Sequence, residues 1–257
     1  MIGALPALGG VMLVSSAVAL PVALLTIAGE RPPPETIPIL AIAGLGNVLG
    51  LYLEYIGLRS GKVGLVASLA AAEGAVAAVL AVIFGETLGP LEAFGVAIVA
   101  IGVTFAAFGH DPPTERGSGA TRRAVLFGGL AGLTFGASLY ATGRLGADLA
   151  LGWSVLPPRV AGMALIVIPL VATRRFRVTR MALPFVLVSG AAEVGGFLAY
   201  AWGARESIAV SSALSAQFAS VSALVAWLVL GERLGRLQWA GVAGVAVGVV
   251  LLALGAT

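Results

Sequence analysis

A single offset of 146 residues carries much of this sequence onto itself, and nothing else about the chain restricts its fold so strongly. Gly85-Glu86 returns as Gly231-Glu232. Without a gap, the same offset pairs Pro38 with Pro184, Gly44 with Gly190, Gly50 with Gly196, Gly57 with Gly203 and Arg59 with Arg205. Further on it pairs Leu88 with Leu234, Leu91 with Leu237, Gly95 with Gly241, Gly102 with Gly248 and Gly109 with Gly255. Solenoid repeats run about 20–50 residues. A much longer period built of apolar segments reads instead as a duplicated set of membrane helices.

Composition supports that solvent. Of 257 residues, 59% are hydrophobic and 11% charged. Soluble domains carry about 25% charged residues, because a surface in water has to be polar. The net charge of +3 comes from Lys and Arg set between apolar runs, where they report topology. No basic patch is interleaved with aromatics, so nucleic acid is not an expected partner. The expected partners are the lipid bilayer and a small-molecule substrate. With no cysteine, disulfides, iron–sulfur clusters and thiolate zinc sites are excluded. The single histidine, His110, follows an apolar run, and a metal site needs several convergent ligands, so neither metal nor cofactor is expected. There is no GxxxxGK[ST] phosphate loop and no credible Ser/His/Asp set, so the chain does not read as an enzyme.

A membrane helix takes about 20 apolar residues. Nine runs qualify: 5–28, 36–57, 63–84, 90–109, 123–147, 153–173, 181–203, 208–230 and 236–255. The first has no Lys or Arg ahead of Arg31 and is long for a signal peptide, so it reads as a retained helix. The run 36–57 maps onto 181–203, five helices later. Five is odd, so the second copy crosses the membrane in the opposite sense, as in the inverted repeats of many secondary carriers. The second copy then owns five helices and the first four. The counterpart of 123–147 would precede residue 1, which reads as a start placed downstream of the true one or as a lost helix.

Ionisable groups at mid-membrane are costly and are functional candidates by default. Glu73 and Glu193 lie well inside expected helices, and Asn47 is the repeat partner of Glu193. Seven residues on, close to two turns, the same faces carry Glu54 and Tyr200. A polar face at one depth in both copies points to a central cavity, set against plain interhelical hydrogen bonding worth about 0.6 kcal/mol. Glu54, near a helix end, reads better as an interfacial side chain. Ser211, Ser215, Ser222 and Gln217 line one helix, either as a pathway or as close packing. Gly128, Gly132 and Gly136 form a packing ladder continued by Tyr140, which can face the cavity, and by Arg144 near the helix end. The expected substrate pathway is thus Asn47, Glu73, Tyr140, Glu193, Tyr200 and Gln217, with Glu73 and Glu193 carrying a coupling proton or pairing with a cationic group. Glu86 and Glu232 read as structural hairpin residues.

The end of each half, 77–86 with Gly95 and Gly102, and 224–234 with Gly241 and Gly248, resembles the EamA-type branch of the drug/metabolite transporter superfamily. A Gly-Glu hairpin followed by a Gly-rich terminal helix looks like that family's signature, present here twice. The resemblance implies an all-α, ten-helix, five-plus-five carrier of small organic solutes, working by alternating access in the cell membrane. This chain departs from it in lacking the first helix, and in having no proline in 63–84 or 208–230. Residues 1–109 then form a first repeat, 110–122 a linker and 123–257 a second repeat. The alternative is a non-transporting membrane protein that needs a further helix or partner.

On the N-terminal side of nine helices lie Arg59, Lys62, Arg116, Arg122, Arg123, Arg174, Arg175, Arg177, Arg180, Arg233 and Arg236. Opposite lie Arg31, Arg144, Arg159 and Arg205. The positive-inside rule puts the first side in the cytoplasm and the C-terminus outside. The resemblance implies a cytoplasmic C-terminus.

Overall fold

In hydrocarbon a backbone must satisfy its own amides, and a lone apolar segment can do so only as a helix. The computed structural model describes residues 4–27, 29–59, 66, 69–107, 118–215, 217, 220, 228 and 235–255, and all regular structure among them is helical. His110, Ser222 and Gly231-Glu232 lie outside the described residues, as does 110–117 of the expected linker.

The helices are α1 (Ala4–Ile27), α2 (Ile37–Leu58), α3 (Glu73–Ile83), α4 (Pro90–Ala107), α5 (Ser118–Asp148), α6 (Gly152–Gly162), α7 (Ile168–Ala172), α8 (Leu183–Gly203), α9 (Ile208–Ser215) and α10 (Arg236–Gly255). Five segments are long and apolar enough to cross a membrane: Leu5–Ile27, Pro34–Leu58, Arg122–Asp148, Gly152–Ala172 and Leu183–Gly203. Pro38 and Pro184 sit in the first turns of α2 and α8, where a missing N–H costs nothing. α5 starts at Ser118, five residues before the expected apolar boundary.

Three helices depart from the uniform spans expected. Between α6 and α7, Met163–Val167 widens into a π-helix that ends two residues before Pro169. That proline has no N–H to give the carbonyl four residues back, and the wider turn absorbs the defect. The segment expected as 63–84 is interrupted by a turn at Ala71–Ala72, where the Ala72 amide donates to Leu69 at 3.3 Å. The segment expected as 208–230 turns at Gln217, the repeat position of Ala71, since 71 + 146 = 217. Both copies therefore break at the same place without a proline.

The chain forms two compact units, and neither follows one repeat. The first comprises Met1–Val48 and Ala141–Glu206. In it α1 runs antiparallel to its own repeat partner: Gly152 lies beside Thr26 and Ala23, Gly162 beside Met12 and Gly9 beside Leu170. Gly190 of α8 admits Val14 and Ser15 of α1, and its repeat partner Gly44 of α2 admits the Pro157 backbone of α6. Ala19, Val155 and Val194 form one buried apolar layer, and Ala43, Ala141 and Leu145 another.

The second unit comprises Leu49–Tyr140 and Ser207–Thr257. Here α4 packs along its repeat partner α10 around Val99, Val103, Val245 and Leu252. A Cβ on Gly95 would stand 3.3 Å from the Gly248 carbonyl, and one on Gly102 would stand 2.8 Å from the Gly241 carbonyl. Adding 146 turns Gly95 into Gly241 and Gly102 into Gly248, so exchanging the copies returns the same two contacts. A contact that maps onto itself in this way is the mark of a two-fold relation, and the antiparallel crossing makes the repeats inverted. The ladder Gly128, Gly132 and Gly136 of α5 packs on Val66, Leu69 and Val76, across the break before α3.

Candidate functional site

α6 and α8 meet in the first unit through a pair of opposite charges. Glu193 lies ten residues from either end of α8, about 15 Å from each. Arg159 lies on α6, two residues past Pro157, with only 2% of its surface exposed. Its Nη1 donates to Glu193 Oε1 at 2.6 Å. The guanidinium also lies over the Phe197 ring, 5.0 Å from its centroid. Glu193 and Phe197 are one turn apart, so a single face of α8 holds both groups, and Val155, one turn before Arg159, continues the apolar layer beneath.

The pair leaves polar atoms over. Arg159 Nε and Nη2 and Glu193 Oε2 are buried without a hydrogen-bond partner among the described residues. Asn47 Oδ1, Thr142 Oγ1 and Ser154 Oγ of the same unit share that condition. Orphaned buried groups are uncommon, each costing about 1–3 kcal/mol, so this concentration needs a cause.

The expected pathway residues are divided between the two units. Asn47, Glu193 and Tyr200 fall in the first, and Glu73, Tyr140 and Gln217 in the second. Tyr200 is 6% exposed. Glu73 opens α3 just after the break and is half-buried. Glu54 lies on α2, in the second unit. Tyr140 stacks on Phe84 with ring centroids 5.3 Å apart. Gln217 occupies the turn beyond α9. Ser215 donates to the Ser212 carbonyl at 3.0 Å, within its own helix.

Arg159 corrects the charge count. It was assigned to one membrane face, and it is instead a buried intramembrane partner of Glu193. Removing it leaves the bias of the other arginines unchanged in sign. The signal was available: Arg159 stands eighth in the span Gly152–Ala172, directly after two prolines.

The hairpin residue Glu86 has a full set of partners. Gly85, at φ +103°, ends α3 in a conformation that glycine adopts without strain. The Gly85 and Glu86 amides donate to Val82 and Ala81, as in a Schellman cap. The Glu86 carboxylate then accepts from Ser207 Oγ and from the amides of Ile208 and Ala209, which open α9. At the far end of α5, Arg205 Nε donates to the Gly146 carbonyl at 3.0 Å, and Arg144 pairs with Asp148 at 2.9 Å. These four acidic and basic residues hold helix ends.

Residues 2–108 match the EamA-like transporter family. No curated protein matches the chain. Among solved structures, one crystal structure superposes with a TM-score of 0.76 at 14% identity, over 97% of this chain and 86% of the other. At that identity the likeness establishes the all-α fold alone; the apolar helices and the family match point to a multi-pass membrane protein.

Proposed function

We propose that this chain, a drug/metabolite-type membrane transporter whose residues 2–108 are EamA-like, is a secondary active carrier of small organic solutes across the cytoplasmic membrane. The observation that carries the reading is the buried Arg159–Glu193 pair, set near the middle of two apolar spans. Such a pair contributes little net stability, because desolvation offsets most of its attraction, so a role in transport accounts for its presence better than folding does. The inverted repeat supplies the mechanism: two equivalent halves exchange inward-open and outward-open arrangements. Helices broken at Ala71–Ala72 and Gln217 supply backbone that can yield during the exchange. Glu73, half-buried at the start of α3, is the carboxylate proposed to carry a coupling proton. The charge bias of the loops puts the N-terminal side in the cytoplasm and the C-terminus outside.

The test is flux through purified protein. Thermal-shift screening of small organic solutes identifies ligands that bind the folded state. Proteoliposomes holding a trapped pH dye then report solute and proton movement together. Glu193→Gln is expected to lose transport while keeping its place in the membrane, and Glu73→Gln to lose proton movement. Unaltered flux in Glu193→Gln removes that residue from the pathway.

A second reading, a protein that works only with a further helix seated on α8, is favoured by one contrast. A Cβ on Gly50 of α2 would stand 2.5 Å from the Phe135 ring of α5, whereas its repeat partner Gly196 has nothing within 4 Å. Crosslinking from Gly196→Cys in native membranes distinguishes the two readings: capture of a second helix supports this one, and flux from the purified chain alone supports the first.

A further inference from the structure

We propose that the loop between α7 and α8 is a binding site for the headgroup of an anionic phospholipid, held by Arg174, Arg175, Arg177 and Arg180. The inference goes beyond the transporter reading and uses no residue of the solute pathway.

The loop joins the spans Gly152–Ala172 and Leu183–Gly203, so it lies where hydrocarbon gives way to headgroups. Burial alternates along it: Phe176 and Val178 are half-buried, while Arg175, Arg177 and Thr179 are exposed. In an extended chain successive side chains point to opposite faces. One face is an anchor. A Cβ on Gly9 of α1 would stand 3.4 Å from the Phe176 ring, and one on Gly10 would stand 3.1 Å from Val178. The other face carries the charge. Arg175 and Arg177 are two residues apart, about 7 Å between Cα atoms, so both guanidiniums can reach one phosphate. Just beyond, Met181 and Phe185 leave 85% and 73% of their surface uncovered. Cations followed at once by open apolar side chains match a phosphate followed by acyl chains.

The described residues supply these cations with no counter-charge. None of the four arginines has an ion pair among them. No acidic residue occurs before Glu30 or between Asp148 and Glu193. Helix dipoles account for only part of the cluster. Arg174 and Arg175 follow the C-terminus of α7, where a cation is favoured. Arg180 stands three residues before α8, where a cation is disfavoured and an anion favoured. Arg174 also sits at φ +55°, in the left-handed region. Its amide donates to Val171 and that of Arg175 to Leu170, a Schellman ending whose left-handed position usually goes to glycine. The backbone would be better served by glycine, so the side chain is what accounts for the arginine.

The experiment counts bound lipid on the full chain by native mass spectrometry in neutral detergent and follows its melting temperature. The probes are phosphatidylglycerol, phosphatidylcholine and water-soluble glycerol phosphate. Phosphatidylglycerol is expected to bind and to raise the melting temperature, with phosphatidylcholine weaker by about tenfold or more. Glycerol phosphate is expected to bind far more weakly than the lipid, because it has no acyl chains to cover Met181 and Phe185. Arg175→Gln/Arg177→Gln is expected to weaken phosphatidylglycerol binding by about 25-fold, about fivefold for each arginine lost. Arg174→Gly removes a charge and relieves the left-handed residue, so it binds about fivefold more weakly yet melts no lower than the parent without lipid. Arg59→Gln/Arg123→Gln removes two charges counted on the same side of the membrane and is expected to bind as the parent does. Equal binding of phosphatidylcholine, unchanged binding in Arg175→Gln/Arg177→Gln, or an equal loss in Arg59→Gln/Arg123→Gln overturns the proposal. Glycerol phosphate bound as tightly as the lipid overturns it too, since the loop would then be taking a free anion. If the arginine double variant does not fold, Arg174→Gly decides alone: a lower melting temperature without lipid, or unchanged lipid binding, overturns the proposal.

Discussion

The carboxylate of Glu86 accepts a hydrogen bond from the Ile208 amide at 3.1 Å, so a residue at the end of one helix caps the start of another far along the chain. Ser207 completes the cap, accepting from the Val210 amide at 3.0 Å and donating to Glu86. An anion is favoured there by the helix dipole and by the free amides of the first turn. Glu86→Ala is expected to destabilise the protein by about 1–2 kcal/mol, read as a lower melting temperature in detergent, with Glu86→Gln intermediate. An unchanged melting temperature in Glu86→Ala denies the cap any role in stability.

Glycines related by the repeat are expected to respond with opposite sign. In Gly50→Ala the new methyl meets the Phe135 ring, and in Gly102→Ala it meets the Val245 amide nitrogen at 2.7 Å. Each is expected to cost about 1–3 kcal/mol through forced repacking. Gly196→Ala adds a methyl into open space, and alanine favours the helix by up to about 1 kcal/mol, so this variant is neutral or stabilised. Melting curves of the three proteins decide it; equal losses in all three would contradict the difference in packing.

Breaking the central ion pair on one side only strands a buried charge. Arg159→Met is expected to cost about 3–5 kcal/mol, and adding Glu193→Leu to recover most of that loss. A double-mutant cycle on thermal stability in detergent reads the coupling directly. Additive losses would mean that the two side chains do not sense each other.

The absence of cysteine lets single cysteines report topology without background. Thr257→Cys is expected to react with a membrane-impermeant maleimide on intact cells, and Arg59→Cys only after permeabilisation. The reverse pattern would put the C-terminus in the cytoplasm.

The length of the apolar runs was enough to place the five long spans, because about twenty apolar residues have few other uses. Glu193 stood out for the same reason that Arg159 was misplaced: an intramembrane charge is conspicuous, but its depth depends on where the helix begins. Run 153–173 held Arg159 well inside it, yet the charge count set it on one membrane face. The choice of Glu193 as its partner depends on how α6 crosses α8, which no spacing within either segment encodes. The breaks at Ala71–Ala72 and Gln217 were hidden because neither carries a proline. At the first, α5 presses Gly132 against the Leu69 carbonyl, a contact visible only once the helices are packed.

The crossing of α4 and α10 has a consequence for descent. Gly95 against Gly248 and Gly102 against Gly241 are one contact written twice. A polypeptide holding only a single copy could make that contact with a second molecule of itself inserted upside down. The present chain keeps within one molecule what two oppositely oriented subunits would otherwise assemble. Substitutions at the four glycines are thereby released from acting in pairs, and each half is free to specialise.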